Sequence, residues 1–315
     1  MQNRIFIGSS GWSYPSWKGK LYPRGSTSSE WLYHYAKIFD YVEVDHTFYH
    51  TPDTSVVKRW VQITPPNFRF TVKFPRAITH SRRLANVRKN HLDNFYSAMN
   101  PLSMKNLAFL IQLPSSFTFG ENGQGLKDLE NLFSVLDNSK RYRYAIEFRD
   151  YSWFNDKTGE ILQNYNICMV WNQLNNLVSP PVCTTNFVYL RLIGDSNRIS
   201  NNKLEPTVWR DNQTEFLSGK NNYDNQKRKN DPLTDMQNWA KELNHWMKIN
   251  ENNKESNTRT FAVISINNFY MGYGPSTINI FRRMLGLPDA HPSDKKQLTL
   301  FDFQNIGIRH DSISS

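Results

Sequence analysis

The sequence predicts an α/β fold, a single-domain (β/α)8 TIM-like barrel with a long polar insertion between its seventh and eighth strands. Three observations point there. Eight short runs rich in aromatic and β-branched residues recur at spacings of very roughly 20–40 residues, and amphipathic helical patterns fill most of the gaps. Strands alternating with helices imply parallel pairing through crossover helices, and eight is the number that closes a barrel. A chain of 315 residues is long enough for one such barrel with an insertion. The competing arrangement, an open doubly wound sheet, usually carries a glycine-rich turn after its first strand. Here Gly8-Ser9-Ser10-Gly11 lacks both the third glycine and the Lys-Ser/Thr of a phosphate loop, so the barrel is preferred.

Strand one is Arg4-Ile5-Phe6-Ile7-Gly8, followed by a loop from Ser9 to Trp17 that is dense in turn formers and aromatics. Helix one is capped by Ser28 or Ser29 and sets Trp31, Leu32, Tyr35, Ile38 and Phe39 on one stripe. Strand two, Tyr41-Val42-Glu43-Val44-Asp45, alternates valines with acids and runs straight into His46-Thr47-Phe48-Tyr49. A helix over Thr54–Ile63 is stopped by Pro65-Pro66. Strand three is Phe68–Phe74, strand four Leu107–Gln112, strand five Tyr144–Arg149, strand six Ile167–Trp171 and strand seven Phe187–Leu192. Residues 197–231 are rich in Asn, Lys, Arg and Asp and poor in aliphatics, the composition of a polar surface excursion. The next helix opens on a capping box, Thr234 to Gln237, and carries Trp239, Leu243 and Trp246 on one face. Strand eight is Phe261–Ile266, and a last helix covers Ser276–Leu285. The expected barrel domain is thus 1–288, with a weakly patterned tail over 289–315.

A mean hydropathy of −0.65 and the absence of any apolar run near the roughly 20 residues that span a bilayer argue against a membrane protein. Met1-Gln2-Asn3-Arg4 enters the first strand without a signal-peptide core, and Cys168 and Cys183 have neither metal-ligand nor disulfide-framework spacing. The expectation is a cytoplasmic protein. A net charge of +10 suits an anionic partner, a small phosphorylated molecule or nucleic acid, and equally suits a basic surface that only maintains solubility.

Alternate residues of a barrel strand face the helices and the interior, and active sites sit at the strands' C-terminal ends. With Val42, Val44, Phe70, Val72 and Phe74 facing outward, the interior face keeps Glu43, Asp45, Thr71 and Lys73. The same parity adds Gln112, Glu147, Arg149, Arg191 and Asn267 from four further strands. One inward polar residue is ordinarily a satisfied core group. Six strands ending this way favour a functional pocket, because buried charge is costly unless paired.

Several segments resemble one family. They are Ile7-Gly8-Ser9-Ser10-Gly11-Trp12-Ser13-Tyr14 with Trp17, Gly19, Tyr22 and Pro23, then Val42-Glu43-Val44-Asp45 with Thr47-Phe48-Tyr49. Lys73-Phe74-Pro75 with Ile78-Thr79-His80 and Gln112-Leu113-Pro114 follow, then Glu147-Phe148-Arg149 with Ser152-Trp153, Tyr189-Leu190-Arg191 with Gly194, and Asn267-Asn268. Together these resemble the YecE-like family, domain of unknown function seventy-two, from residue 5 to about 285. The resemblance implies a TIM barrel in a cytoplasmic protein and no assigned reaction. Asp45 and Ile193 depart from the family's usual Asn and His.

The inventory suggests acid–base chemistry. Glu43, Asp45, Lys73 and Glu147 are the candidate catalytic residues, since carboxylates in unlike surroundings separate into acid and base. Trp12, Tyr49, His80, Gln112, Arg149, Trp153, Arg191, Asn267 and Asn268 are the candidate substrate-binding residues. The arginines would grip a phosphate or carboxylate, and the aromatics would line the rim or pack the loops. His46 and His50 stand four apart without the glutamate of a zinc-protease motif. Glu43, Asp45 and Glu147 offer a divalent ion three carboxylates, but a metal-free site is preferred and the cofactor is left open. The expected function is hydrolysis or elimination on an anionic, phosphorylated or sugar-containing substrate. The alternatives are nucleic-acid binding or processing, with Lys227, Arg228 and Lys229 on the backbone, and a non-catalytic ligand-binding barrel.

Overall fold

A computed structural model describes residues 4–81, 84, 87–120, 123–137, 141–174, 176–194, 231–252 and 260–290. Most of the expected excursion, including Lys227, Arg228 and Lys229, and nearly all of the tail lie outside these residues.

The strands are β1 (Arg4–Ser9), β2 (Tyr41–Val44), β3 (Arg69–Lys73), β4 (Asn106–Gln112) and β5 (Tyr144–Glu147). They continue with β6 (Ile167–Met169), β7 (Trp171–Leu174), β8 (Phe187–Gly194) and β9 (Phe261–Ile266). Helices α1 (Trp31–Ala36), α2 (Thr54–Ile63), α3 (Lys89–Met99), α4 (Gln124–Val135) and α5 (Asp156–Asn164) fill the gaps up to β6. Helix α6 (Pro232–Asn252) precedes β9 and α7 (Gly274–Met284) follows it. Every ladder is parallel, in two sheets ordered β1-β9-β8-β7 and β2-β3-β4-β5-β6.

Each expected strand segment carries strand, but the described residues hold nine strands and not eight. Ile167–Trp171 divides at Val170, whose N–H bonds to Ile146 O at 2.9 Å while Trp171 already pairs with Leu190 of the other sheet. One residue thus hands the chain from sheet to sheet. A second seam lies at the opposite edges, where Ser10 bridges Glu43 in parallel and Gly11 N–H donates to Glu43 O at 2.8 Å. Gly8 permits that approach, because a Cβ there would lie 2.0 Å from Tyr41 O.

Alternation sorts the strand residues into two cores. Val42, Val44, Phe70, Val72 and Phe74 join the large cluster that includes the helix residues Val57, Leu92, Leu132 and Ile278. Residues of the other parity, among them Phe6, Tyr41, Ala145, Tyr189 and Val263, form a smaller core shared by both sheets. Strands buried on both faces read as nearly continuous apolar runs, as β9 does in Phe-Ala-Val-Ile-Ser-Ile.

Two helix starts differ from expectation. The turn before α1 is capped by Thr27, whose N–H and hydroxyl both donate to Glu30 Oε2, at 2.7 and 2.8 Å. Helix α6 begins two residues before Thr234, and Asp231 accepts from Leu233 N–H, Thr234 N–H and the Thr234 hydroxyl. At α6 an acceptor ahead of the first turn satisfies the orphan N–H groups, whereas before α1 the Glu30 carboxylate reaches back to Thr27. No described helix is long and apolar enough to cross a membrane.

Candidate active site at the ends of the strands

The smaller core ends in charge. At its base the Phe187 and Phe261 rings stack at 4.9 Å. Above them the hydroxyls of Tyr41, Thr71 and Tyr189 form a triangle with sides of 2.6, 2.7 and 3.1 Å. Tyr189 then donates to Glu43 Oε2 at 2.6 Å and carries the chain of hydrogen bonds to the mouth.

Glu43 and Arg191 form a buried fork. Arg191 Nε and Nη2 donate to the two Glu43 oxygens at 2.9 and 2.6 Å, and Ser10 Oγ adds a third donor at 2.6 Å. With Tyr189, each Glu43 oxygen receives two hydrogen bonds, which fills the acceptor capacity of a carboxylate. Arg191 Nη1 reaches on to Glu147 Oε2, and Arg149 Nε holds Glu147 Oε1 at 2.6 Å. Four residues from three strand ends thus alternate in sign.

That arrangement sets the protonation states. Burial pushes the Glu43 carboxyl upward, but the charge of Arg191 and the donors from Arg191, Ser10 and Tyr189 outweigh it and hold Glu43 below the ordinary carboxylate range. Burial opposes ionisation of Glu147 too, yet the adjacent Arg149 and Arg191 bring it down to about 2. Both glutamates are therefore fixed anions at neutral pH. Both are tied into the Arg191 frame.

Asp45 and Lys73 differ. Burial first, then the negative charge of Glu43, raises the Asp45 carboxyl, and no described residue forms an ion pair with it. The carboxylate lies against Gly11, at φ +78°, where an added Cβ would sit 3.1 Å from its oxygen. Burial, then the positive charge of Arg191, outweighs the pull of Glu147 and Glu43 and brings Lys73 down to about 8. Its Nζ lies 4.1 Å from the centre of the Phe48 ring, which His80 meets edge-on at 4.9 Å. His80 Nδ1 is 2.9 Å from Thr79 Oγ1; burial and the nearby Lys73, Arg76 and Arg149 lower its pKa.

The remaining candidates scatter. Gln112 is buried abreast of Glu147 in the β4–β5 register. Tyr49 is 78% exposed. Trp12 is buried edge-on to His46 and Trp60, and Trp153 is fully enclosed, stacked on Phe117 and Phe148 with its indole N–H on Phe117 O at 2.7 Å. These two tryptophans pack loops, the second of the two roles expected of the aromatics. Asn268 Oδ1 accepts from Trp17 Nε1 and Gly274 N–H, and Asn267 Oδ1 from Phe269 N–H, so their carbonyl ends tie the loop after β9. His46 is pushed down to about 4 by burial and by His50.

Among the described residues no three His, Cys, Asp or Glu side chains gather as a metal site. Glu43 and Glu147 do face one another, but the Arg191 guanidinium fills the position a divalent cation would need. Sequence reasoning missed Ser10, Tyr41 and Tyr189, although each tyrosine stands two residues before a charged site residue on the same parity. It also missed Asn172 and Ser265, which flank Arg191 in the β7 and β9 registers. Their Oδ1 and Oγ atoms are buried without a hydrogen-bond partner among the described residues.

Parallel sheets with a charged cluster at their C-terminal ends define an α/β protein of the kind that carries sites on strand ends. The chain belongs to the DUF72 family, described as "Protein of unknown function DUF72", whose model matches residues 6–299. It is 34% identical over 155 residues to the UPF0759 protein YecE of Escherichia coli K12, covering 48% of this chain and 50% of that protein. It is 29% identical over 157 residues to the UPF0759 protein YunF of Bacillus subtilis, covering 48% and 52%. The match spans about half the length of these curated relatives. A DUF72 family protein from Thermotoga maritima superposes with a TM-score of 0.63 at 25% identity, over 90% of this chain and all of that one. One from Enterococcus faecalis gives 0.63 at 21%, over 94% and 100%, and speaks to the fold alone.

Proposed function

We propose that the two seams complete a (β/α)8 barrel, and that the protein is a cytoplasmic enzyme using acid–base chemistry on a small anionic, phosphorylated or sugar-containing substrate. The carrying observation is the unequal state of the four candidate catalytic groups. Arg191 locks Glu43 and Glu147 as anions, while Asp45 and Lys73 are displaced towards neutrality and lie outside any ion pair among the described residues. Groups brought towards the working pH are suited to proton transfer. Arg149 uses only Nε on Glu147, so its two terminal nitrogens face no acceptor among the described residues, and its side chain is 26% exposed. Arg149 and His80 are the proposed anion clamp.

A thermal-shift panel of inorganic phosphate, sugar phosphates and small carboxylates tests this reading. At least one anion should raise Tm, and Arg149→Ala should abolish the rise. No stabilisation, or one indifferent to Arg149, would refute it. Nucleic acid as a partner rests on the net charge of +10. Such binding should be weak and vanish near physiological salt, because each neutralised phosphate releases about one counterion.

A further inference from the structure

The nature of the reacting group follows from Lys73, on the reading above that the pocket takes a small anion. A buried ammonium ordinarily has an acid beside it or a set of carbonyl oxygens around it. Lys73 has neither: no described residue accepts a hydrogen bond from Nζ or forms an ion pair with it. The two carboxylates that attract it electrostatically, Glu147 and Glu43, are taken by arginines. Phe48 fixes the amine's position from one side, and an aromatic face takes up none of its protons as an oxygen acceptor would. Asp45, the carboxyl of this pocket outside the arginine frame, follows β2, the strand that pairs with β3, the strand of Lys73.

The geometry points to Lys73 as a nucleophile that forms a Schiff base with an aldehyde or ketone bearing a phosphate or carboxylate, with Asp45 moving the protons. The amine lone pair attacks the carbonyl carbon, and the C=O π electrons move to oxygen, which takes a proton from the Asp45 carboxyl. The new C–N nitrogen returns a proton to the Asp45 carboxylate. Asp45 then protonates the carbinolamine hydroxyl, the nitrogen lone pair expels it as water, and a protonated imine remains. No oxidant or reductant is needed. The positive charge reappears on the imine nitrogen, where Glu147 and Glu43 favour it. Water addition reverses each step and frees the amine.

The test incubates the full-length chain with glycolaldehyde or glycolaldehyde phosphate in sodium borohydride, which reduces an imine to a stable amine, and maps adducts by peptide mass spectrometry. Lys73 should be modified about tenfold faster than any other lysine, as expected of an activated amine against ordinary ones. Lys73→Arg should lose that adduct alone. Comparison among lysines within the wild-type chain decides the matter even if the variant folds poorly. Modification at Lys73 no faster than at surface lysines overturns the inference, and does so even if the thermal-shift panel finds an anion. Fast modification at equal rates by both aldehydes supports the Schiff base while refuting the anion clamp. Faster reaction of the phosphorylated aldehyde supports both.

Discussion

Two lysines, Lys105 buried and Lys73 half-buried, stand at opposite ends of neighbouring strands. Lys105 lies just before β4, and Lys73 ends β3. Burial brings both down to about 8. At Lys105 the ammonium is met by Val61 O and Thr64 O at 2.9 Å and by Thr64 Oγ1 at 3.0 Å, the acceptors left where α2 ends. All three of its donors are used, and each oxygen favours the charged form against desolvation. At Lys73 an aromatic face replaces the oxygens. The same downward displacement arises in unlike surroundings: one lysine closes off a helix terminus, and the other has no oxygen acceptor among the described residues. Stability at the N-terminal ends of strands and chemistry at the C-terminal ends is the usual division in this kind of fold.

The largest expected effect concerns the frame between the two kinds of site. Arg191→Leu leaves Glu43 and Glu147 buried without their shared counter-ion and should cost about 3–5 kcal/mol in urea unfolding. From sequence alone, Glu147→Gln is expected to shift Tm by only a few degrees. Its full burial between Arg149 and Arg191 favours a larger effect, a clear loss of stability in the same measurement. Next comes Lys105→Met, which strips three acceptors of their donor and should cost about 1–3 kcal/mol. A neutral result there would remove the contrast between the lysines.

Lys73→Met should have the smallest effect on stability, and its sign depends on pH. A lysine whose folded pKa is near 8 binds its proton more weakly in the folded state than in the unfolded state, where the value is near 10.5. Wild-type stability from this group therefore rises with pH between those values. Lys73→Met should be at least as stable as wild type below pH 8, and that advantage should shrink towards pH 10.5. An advantage that grows over this interval would show the opposite displacement.

The parity of the strands was legible because both faces are buried in different company. Val42 and Val44 meet helices, while Glu43 and Asp45 face the other way, and an alternating pattern records that directly. The pairing across the mouth was not legible. Arg191 chooses Glu43 and Glu147 over Asp45 because of distances between strand ends more than a hundred residues apart in one case. That choice decides which acids are fixed anions. Asn172 escaped notice because the strand breaks at Val170 and resumes in the other sheet. For Trp153 the choice between rim and loop packing stayed open because sequence cannot reveal that Phe117 and Phe148 enclose it.

The most direct measurement is an NMR pH titration of the lysine side-chain ε-carbons, with Lys73 and Lys105 assigned through Lys73→Arg and Lys105→Arg. Lys73 and Lys105 should both titrate near pH 8, below the surface lysines. A Lys73 resonance that titrates with the surface lysines would show an ordinary ammonium at the mouth and contradict the account.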